Sequence, residues 1–354
     1  MREQLKILVT GVGGGGHGEQ ILKAIKLSSL DCTLIGTDIT PSSSGFEIVD
    51  KSHILPPAKD ASYLSKLLEL CDHYKVDVLF HGSEPELNVI AANRPVFLQR
   101  GIFLPINPDA VIETCMDKVK TASFLTQNGF KTPYFTKVTT LRDVANFPIF
   151  PAVIKPSIGG GGSAFTGIAQ AKEEAIFLAQ QILEVHGQCI LQEYVGTPDD
   201  EYTVGVLLDM DGILINSIVV HRFIMSALSN RFKIPNTSGR RELGPTLAIS
   251  SGISQGWIGP HKEIQRECER IALALGAKGA INIQCRFVND KVIPFEINPR
   301  FSGTTSLRAL VGYNEPEVLI RKHIFGEAIP QHFPYASGVI TRSLHEHFYP
   351  DLKD

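Results

Sequence analysis

No run of apolar residues in this sequence approaches the roughly 18 that a membrane-spanning helix requires, so no contact with a membrane is expected. The opening residues, Met1 to Gln4, lead straight into the apolar stretch Leu5 to Val9 without the apolar segment of a signal peptide, and a cytoplasmic location is the expectation. An excess of positive charge is also missing. Lys and Arg number 34 against 37 Asp and Glu, leaving a net charge of -3 and a pI near 6.4, which argues against a nucleic-acid-binding surface. No C-x-x-C pair occurs among Cys32, Cys71, Cys115, Cys189, Cys268 and Cys285. That scatter fits reduced thiols packed as small core residues better than a disulfide framework or a zinc site. Internal repeats are absent, and low complexity is confined to glycine tracts.

What is present is ordinary globular composition, 43% hydrophobic and 20% charged, over 354 residues. That length exceeds what one hydrophobic core usually serves, and two or three domains are expected. The first third alternates short apolar runs (Leu5 to Thr10, Thr33 to Gly36, Val76 to Phe80) with helical patterns (Gln20 to Leu27, Tyr63 to Tyr74). Such alternation predicts a parallel sheet covered by helices, a small Rossmann-like unit. A second segment opens with a helix at Met116-Asp117-Lys118. It continues through strands at Val153 to Lys155, Ser163 to Ile168 and Cys189 to Tyr194, and a helix from Ala171 to Glu184. Beyond Glu201, β-rich runs enclose a polar stretch from Phe223 to Pro245, read as a long functional or disordered loop. A helix, Glu263 to Leu275, follows, and then two strands meet at a tight Asn289-Asp290 turn.

Two constellations carry chemistry. Lys155 ends a strand directly before the tract Gly159-Gly160-Gly161-Gly162-Ser163. Residues without Cβ let a loop close over phosphates and offer backbone N–H groups, while the lysine adds positive charge. The second is Glu296-Ile297-Asn298-Pro299-Arg300 with Gln284 on the preceding strand. Positions two apart on a strand share a face, so Glu296 and Asn298 project together and Gln284 reaches the same spot. Three oxygen donors suit a hard cation such as Mg²⁺, and Arg300, one step further, would meet the γ-phosphoryl group of a nucleotide.

The order Lys118, Val153-Ile154-Lys155-Pro156 with its glycine loop, Gln192-Glu193-Tyr194-Val195, Glu201-Tyr202-Thr203-Val204, Gln284 and Glu296-Ile297-Asn298-Pro299-Arg300 resembles the ATP-grasp superfamily. It is most similar to one synthetase half of the carbamoyl phosphate synthetase large subunit and to stand-alone carboxylate–amine ligases. The resemblance extends to the start of the chain through Gly82-Ser83-Glu84-Pro85-Glu86-Leu87. It implies an α/β ATP-grasp fold, two α+β lobes gripping ATP, preceded by a Rossmann-like parallel-sheet domain. The boundaries expected are 1–112 for that first domain, 113–192 for the small lobe and 193–354 for the metal-binding lobe.

By the same resemblance, Lys118, Lys155 and the loop Gly160, Gly161, Gly162 and Ser163 would hold ATP phosphates. Gln192, Glu193, Tyr194 and Val195 would form the hinge strand at the adenine, and Glu201 would accept from the ribose hydroxyls. Gln284, Glu296 and Asn298 would bind Mg²⁺, with Mn²⁺ as a substitute, and Arg300 and Lys155 would be catalytic. Arg308, His221, Arg222 and Glu84 would face small-molecule carboxylate and amine substrates, joined by Arg240 and Arg241. A homodimer through the first domain is a further family-level expectation. The activity implied is ATP-dependent activation of a carboxylate as an acyl phosphate and its coupling to an amine. Carbamoyl phosphate synthesis is not expected, because the chain carries one ATP-grasp unit. Gln284 departs from the acid that many relatives carry there.

Two other readings remain open. Gly11-Val12-Gly13-Gly14-Gly15-Gly16 follows a strand and formally fits G-x-G-x-x-G, with Asp38 placed as a ribose-binding acid, the pattern of an NAD(P)-dependent oxidoreductase. A non-catalytic ATP-binding regulatory protein is the other. Metal-dependent ADP release separates all three.

Overall fold

Three strands with buried apolar residues on both faces and one polar, exposed edge strand build the first sheet of the computed structural model, which describes residues 4–159 and 164–346. β1 (Leu5–Val9), β2 (Cys32–Asp38), β3 (Lys51–Ile54) and β4 (Val78–Phe80) run parallel in the order β3-β2-β1-β4. Side chains alternate across a strand, so Ile7 and Val9 enter one core with Ile21 and Ile25 of the helix His17–Lys26. Leu8 enters the other, with Leu67 of the helix Tyr63–Tyr74 and Leu87 of the helix Glu84–Ala92. Burial on both sides explains the unbroken apolar runs of the sequence. The corner above β1 and β4 closes on glycine. A Cβ at Gly82 would stand 1.9 Å from the Thr10 carbonyl oxygen, and one at Gly18 would stand 2.4 Å from that of Gly11.

The second sheet is antiparallel: β5 (Phe135–Val138), β6 (Ala152–Pro156), β7 (Gly167–Ala169) and β8 (Cys189–Glu193), in the order β5-β8-β6-β7. Ala175, Ala179 and Ile182 of the helix Lys172–His186 pack on Ile154 and Leu191. The expected helix at Met116 is two helices. Asp109–Met116 stops at Asp117, whose extended backbone makes it the N-cap of Lys118–Gln127, accepting from the N–H groups of Val119 and Lys120.

The remainder forms β9 (Glu201–Leu208), β10 (Leu214–Arg222), β11 (Asn230–Pro235), β12 (Thr246–Ser250), β13 (Gly256–Ile258), β14 (Ala280–Val288), β15 (Lys291–Asn298) and β16 (Gly338–Ile340). Six of them make one antiparallel sheet, β15-β14-β9-β10-β13-β16, and β11 pairs with β12. The stretch Phe223 to Pro245 is therefore not a structureless loop. Phe232 and Ile234 alternate along β11 and pack with Tyr194 and Leu247, a short period-two signal hidden among polar neighbours. Asn289 and Asp290 take φ of 49° and 57°, the left-handed pair that a two-residue hairpin demands. Val204, Val206, Ile281 and Ile283 meet Ile264, Cys268 and Ile271 of the helix Lys262–Leu275. The opposite face of the same strands carries Thr203, Asn282 and Gln284. Among the described residues, no helix is long and apolar enough to cross a membrane.

Candidate active site

That polar face and the edge of the second sheet enclose a cleft of about 200 Å³ whose walls include Lys118, Lys155, Glu193, Glu201, Glu296 and Arg300. Lys155 ends β6 and reaches across it. Its Nζ lies 3.8 Å from Glu296 Oε2 and donates to the Phe295 carbonyl at 3.4 Å. The two constellations, 141 positions apart in sequence, thus meet at one point. Burial lowers the Lys155 ammonium to about 8, against the pull of the Glu296 carboxylate. Burial alone would raise Glu296, but Lys155, Lys118 and Arg300 outweigh it and hold that carboxyl below its usual range. Lys118 stands at the base of the glycine loop, its backbone N–H bonded to Ser157 O and its Nζ to Gly159 O. Gly160, Gly161, Gly162 and Ser163 lie outside the described residues.

Strand register builds the oxygen cluster. Gln284 on β14 faces Glu296 on β15, and Asn282 faces Asn298. Glu296 Oε1 accepts from Gln284 Nε2 at 3.4 Å and from Asn298 Nδ2 at 3.2 Å. Turning either amide by half a rotation would present an oxygen in place of the N–H. One carboxylate and two amide oxygens fit a Mg²⁺ that takes the rest of its shell from water and phosphate. Among the described residues no group of three His, Cys, Asp or Glu forms a metal site, so the cation would depend on its nucleotide. Arg300 Nη2 lies 2.8 Å from Glu84 Oε1 and 3.2 Å from Asn298 Oδ1, joining this cluster to the first domain.

The hinge end is held by arginines. Gln192, at 3% exposure, closes the wall from β8, while the Glu193 side chain pairs with Arg240 at 3.1 Å. Arg286 lies over the Tyr194 ring at 4.5 Å and donates to the Val195 and Gly196 carbonyls. Glu201 lines the cleft at 2% exposure, with Oε1 on Arg222 at 2.9 Å and Oε2 on Arg286 at 3.3 Å. A ribose hydroxyl would have to share those oxygens.

Two of the residues expected at the substrate, Arg308 and His221, are not in the cleft lining. Arg308 has no exposed surface. It packs on the same face of the sheet as the cleft, further along the strands, with Nη1 on Glu315 at 3.2 Å and Nη2 on Asn282 at 2.6 Å, facing Gly205, where a Cβ would stand 2.4 Å away. His221 faces away from its neighbour Arg222, as alternation on β10 requires, and stacks on Tyr202. Arg308 is structural, so Arg308→Met should cost about 3–5 kcal/mol by leaving Glu315 buried and unpaired. Thermal melting checks this, and substrate KM in the folded fraction should not move.

Several cleft residues escaped the sequence reading. Arg286 was accessible, since it lies two positions from Gln284 on one strand. The Ser250-Ser251-Gly252 turn, which approaches Ser302-Gly303-Thr304, carries no motif. Outside the cleft lining, Arg342 holds that turn by donating to the Gly303 and Ser254 carbonyls and to Gln20 Oε1 from 39 or more positions away. The dinucleotide reading loses its acid: Asp38 Oδ2 accepts from the Gly13 N–H at 2.7 Å, inside the tract itself.

Residues 115–304 match the family model of the ATP-grasp domain, and residues 7–105 that of the PylC-like N-terminal domain. The chain is 27% identical over 371 residues to the arginine-specific, mitochondrial carbamoyl phosphate synthase large chain of Schizosaccharomyces pombe, covering 98% of this chain and 29% of that one. It is 21% identical over 315 residues to the carbamoyl phosphate synthase large chain of Haemophilus ducreyi, covering 84% and 27%. The chain therefore spans under a third of the length of these curated relatives. Among solved structures, L-amino acid ligase from Bacillus licheniformis superposes with a TM-score of 0.64 at 16% identity, over 91% of this chain and 74% of that one. N5-carboxyaminoimidazole synthetase from Staphylococcus aureus complexed with ADP gives 0.64 at 13% identity, over 96% and 81%. At these identities the likeness is one of fold.

Proposed function

The chain belongs to the ATP-grasp family, and on that premise we propose that it is an ATP-dependent ligase that activates a small-molecule carboxylate as an acyl phosphate and couples it to an amine. The observation that carries this reading is Lys155 Nζ 3.8 Å from Glu296 Oε2 in one cleft, cation and metal-suited carboxylate on opposite walls.

A carboxylate does not react with an amine at neutral pH, because an oxide would have to leave. Transfer of the γ-phosphoryl group forms a carboxyl O–P bond as the bond to ADP breaks. Amine attack then forms the C–N bond and expels phosphate. Lys118 and Lys155 hold the phosphates and neutralise their charge, and Arg300 meets the charge that builds on the transferring group. The Val195 carbonyl is already taken by Arg286, so adenine would be read by the Val195 N–H and the Glu193 carbonyl. Gln284, Glu296 and Asn298 would hold Mg²⁺, with Mn²⁺ as a substitute; the ion supplies electrostatic screening between nucleotide and carboxylate. A dimer through the first domain and a cytoplasmic setting complete the proposal.

A panel of carboxylates and amines, with hydroxylamine added to trap any acyl phosphate, tests the reading. ADP release that appears with one acid, yields its hydroxamate, stops with EDTA and returns with Mg²⁺ is the expected result. Neither ADP nor hydroxamate across a broad panel overturns it, and a change in nicotinamide absorbance would favour the oxidoreductase.

A further inference from the structure

The cleft changes character along its length. Toward the hinge its walls carry hydrocarbon, from Met116, Val153, Tyr194 and Phe295. Past Gln284 and Asn298 the lining passes to two turns, Ser251-Gly252 with Ser254 and Ser302-Gly303-Thr304. They bring four hydroxyls and two glycines, and no hydrocarbon longer than a threonine methyl. Contacts place the turns together, between Arg222 and Arg300. Arg222 Nη2 donates to the Ser251 carbonyl at 2.8 Å and its Nη1 to Gln284 Oε1 at 3.4 Å. Gly303 follows Arg300 closely in the chain, and a Cβ on it would stand 3.0 Å from the Gly252 carbonyl oxygen.

Two observations mark this end as shaped for a ligand. Arg222 is 2% exposed, yet its Nε has no hydrogen-bond partner, and neither has the Nε of Arg300. Enclosed donors are nearly always paired, so an open one on a cleft wall calls for an acceptor oxygen from outside the protein. Gly252 is the second. It is exposed, its φ lies outside the left-handed region, and a Cβ there would meet nothing within 4 Å. Neither backbone conformation nor packing demands a glycine at this position, so its missing side chain is room left in the cleft.

The lining selects what fills that room. A hydrocarbon body laid against these hydroxyls would strip them of water and return no hydrogen bond. A cationic substituent would face Arg222 and Arg300, whose carboxylate partners Glu201 and Glu84 are already engaged at 2.9 and 2.8 Å. A neutral hydroxyl both donates and accepts, as serine and threonine side chains do. We propose that this end of the cleft binds the carboxylate substrate, that this substrate is a small hydroxylated acid, and that Gly252 leaves the space its body occupies. The acid's carboxylate lies toward Arg300, and one of its oxygens accepts from Arg222 Nε. This inference rests on the ligase reading and names its acid.

Hydroxamate formation from glycerate and gluconate is compared with that from butyrate, hexanoate, alanine and lysine. A hydroxy acid should exceed every hydrocarbon and amino acid in kcat/KM by about tenfold or more. Equal or greater efficiency with either of the other classes overturns the proposal. Gly252→Leu should raise the KM for the hydroxy acid by about tenfold or more, leave the KM for ATP within about twofold, and leave the melting temperature unchanged because the new side chain enters open space. An unchanged acid KM, or acid and ATP affected alike, also overturns it. Calorimetric titration of glycerate and gluconate into the full-length chain saturated with ADP and Mg²⁺, wild type beside Gly252→Leu, needs no turnover. Binding by wild type that the variant loses, with no ADP release from ATP in any mixture, keeps the subsite and defeats the ligase reading. ADP release with some other acid while neither hydroxy acid binds keeps the ligase reading and overturns the subsite.

Discussion

Glu296→Gln is expected to lower ADP release by roughly 10³-fold, the upper range for loss of one preorganised electrostatic group, and to make the remainder insensitive to Mg²⁺ concentration. The expectation follows from how little negative charge the cluster holds. Gln284 and Asn298 contribute amides, so Glu296 is its only formal anion, and the substitution leaves three neutral side chains around a divalent cation. The change is nearly isosteric, and it also strips Lys155 of its counter-charge at 3.8 Å. A lysine already lowered by burial would then be easier to deprotonate, which weakens the grip on phosphate a second time. ADP release measured against Mg²⁺ concentration, beside a melting curve to show that the fold survives, decides the matter. Retention of activity within about tenfold would mean that the cation sits elsewhere.

Periodicity and spacing carried most of the architecture because the elements that build it are governed by local rules. β1 and β4 are buried on both faces and read as continuous apolar runs, and Asn289-Asp290 names its own turn. The oxygen cluster proposed to hold a metal was legible for a related reason: Glu296 and Asn298 are two apart on a strand, and register brings in Gln284. Alternation also separates His221 from Arg222, which are adjacent on β10 and cannot both face the cleft. What stayed hidden depends on contacts between distant segments. Arg308 follows the cluster closely in sequence, yet it is buried on Glu315 and Asn282 rather than exposed to the cleft. The pairing of Glu201 with Arg222 and Arg286, 21 and 85 positions away, becomes visible only when the chain folds back. The side chains of this cleft are thus of two kinds: those set by a strand's period and those set by long-range packing.

Arg300→Met should reduce the rate of hydroxamate formation by about 10³-fold or more while ATP affinity stays within a few-fold, the signature of a group that acts on the transition state. The guanidinium is fixed by three oxygens, on Glu84, Asn298 and Phe301, so it is oriented before substrate arrives. Its Nε remains enclosed and unpaired, a donor still available to a developing negative charge. Arg300→Lys keeps the charge but loses the planar fork, and it should fall between wild type and methionine. Tethering is the competing role, because the Glu84 contact at 2.8 Å ties the first domain to β15. A tether would reveal itself through a lower melting temperature and through ATP binding weakened as much as turnover. If Arg300→Met weakens ATP binding in proportion to the lost rate, Arg300 serves the ground state, and phosphoryl transfer in this cleft must be stabilised by the lysines and the metal ion.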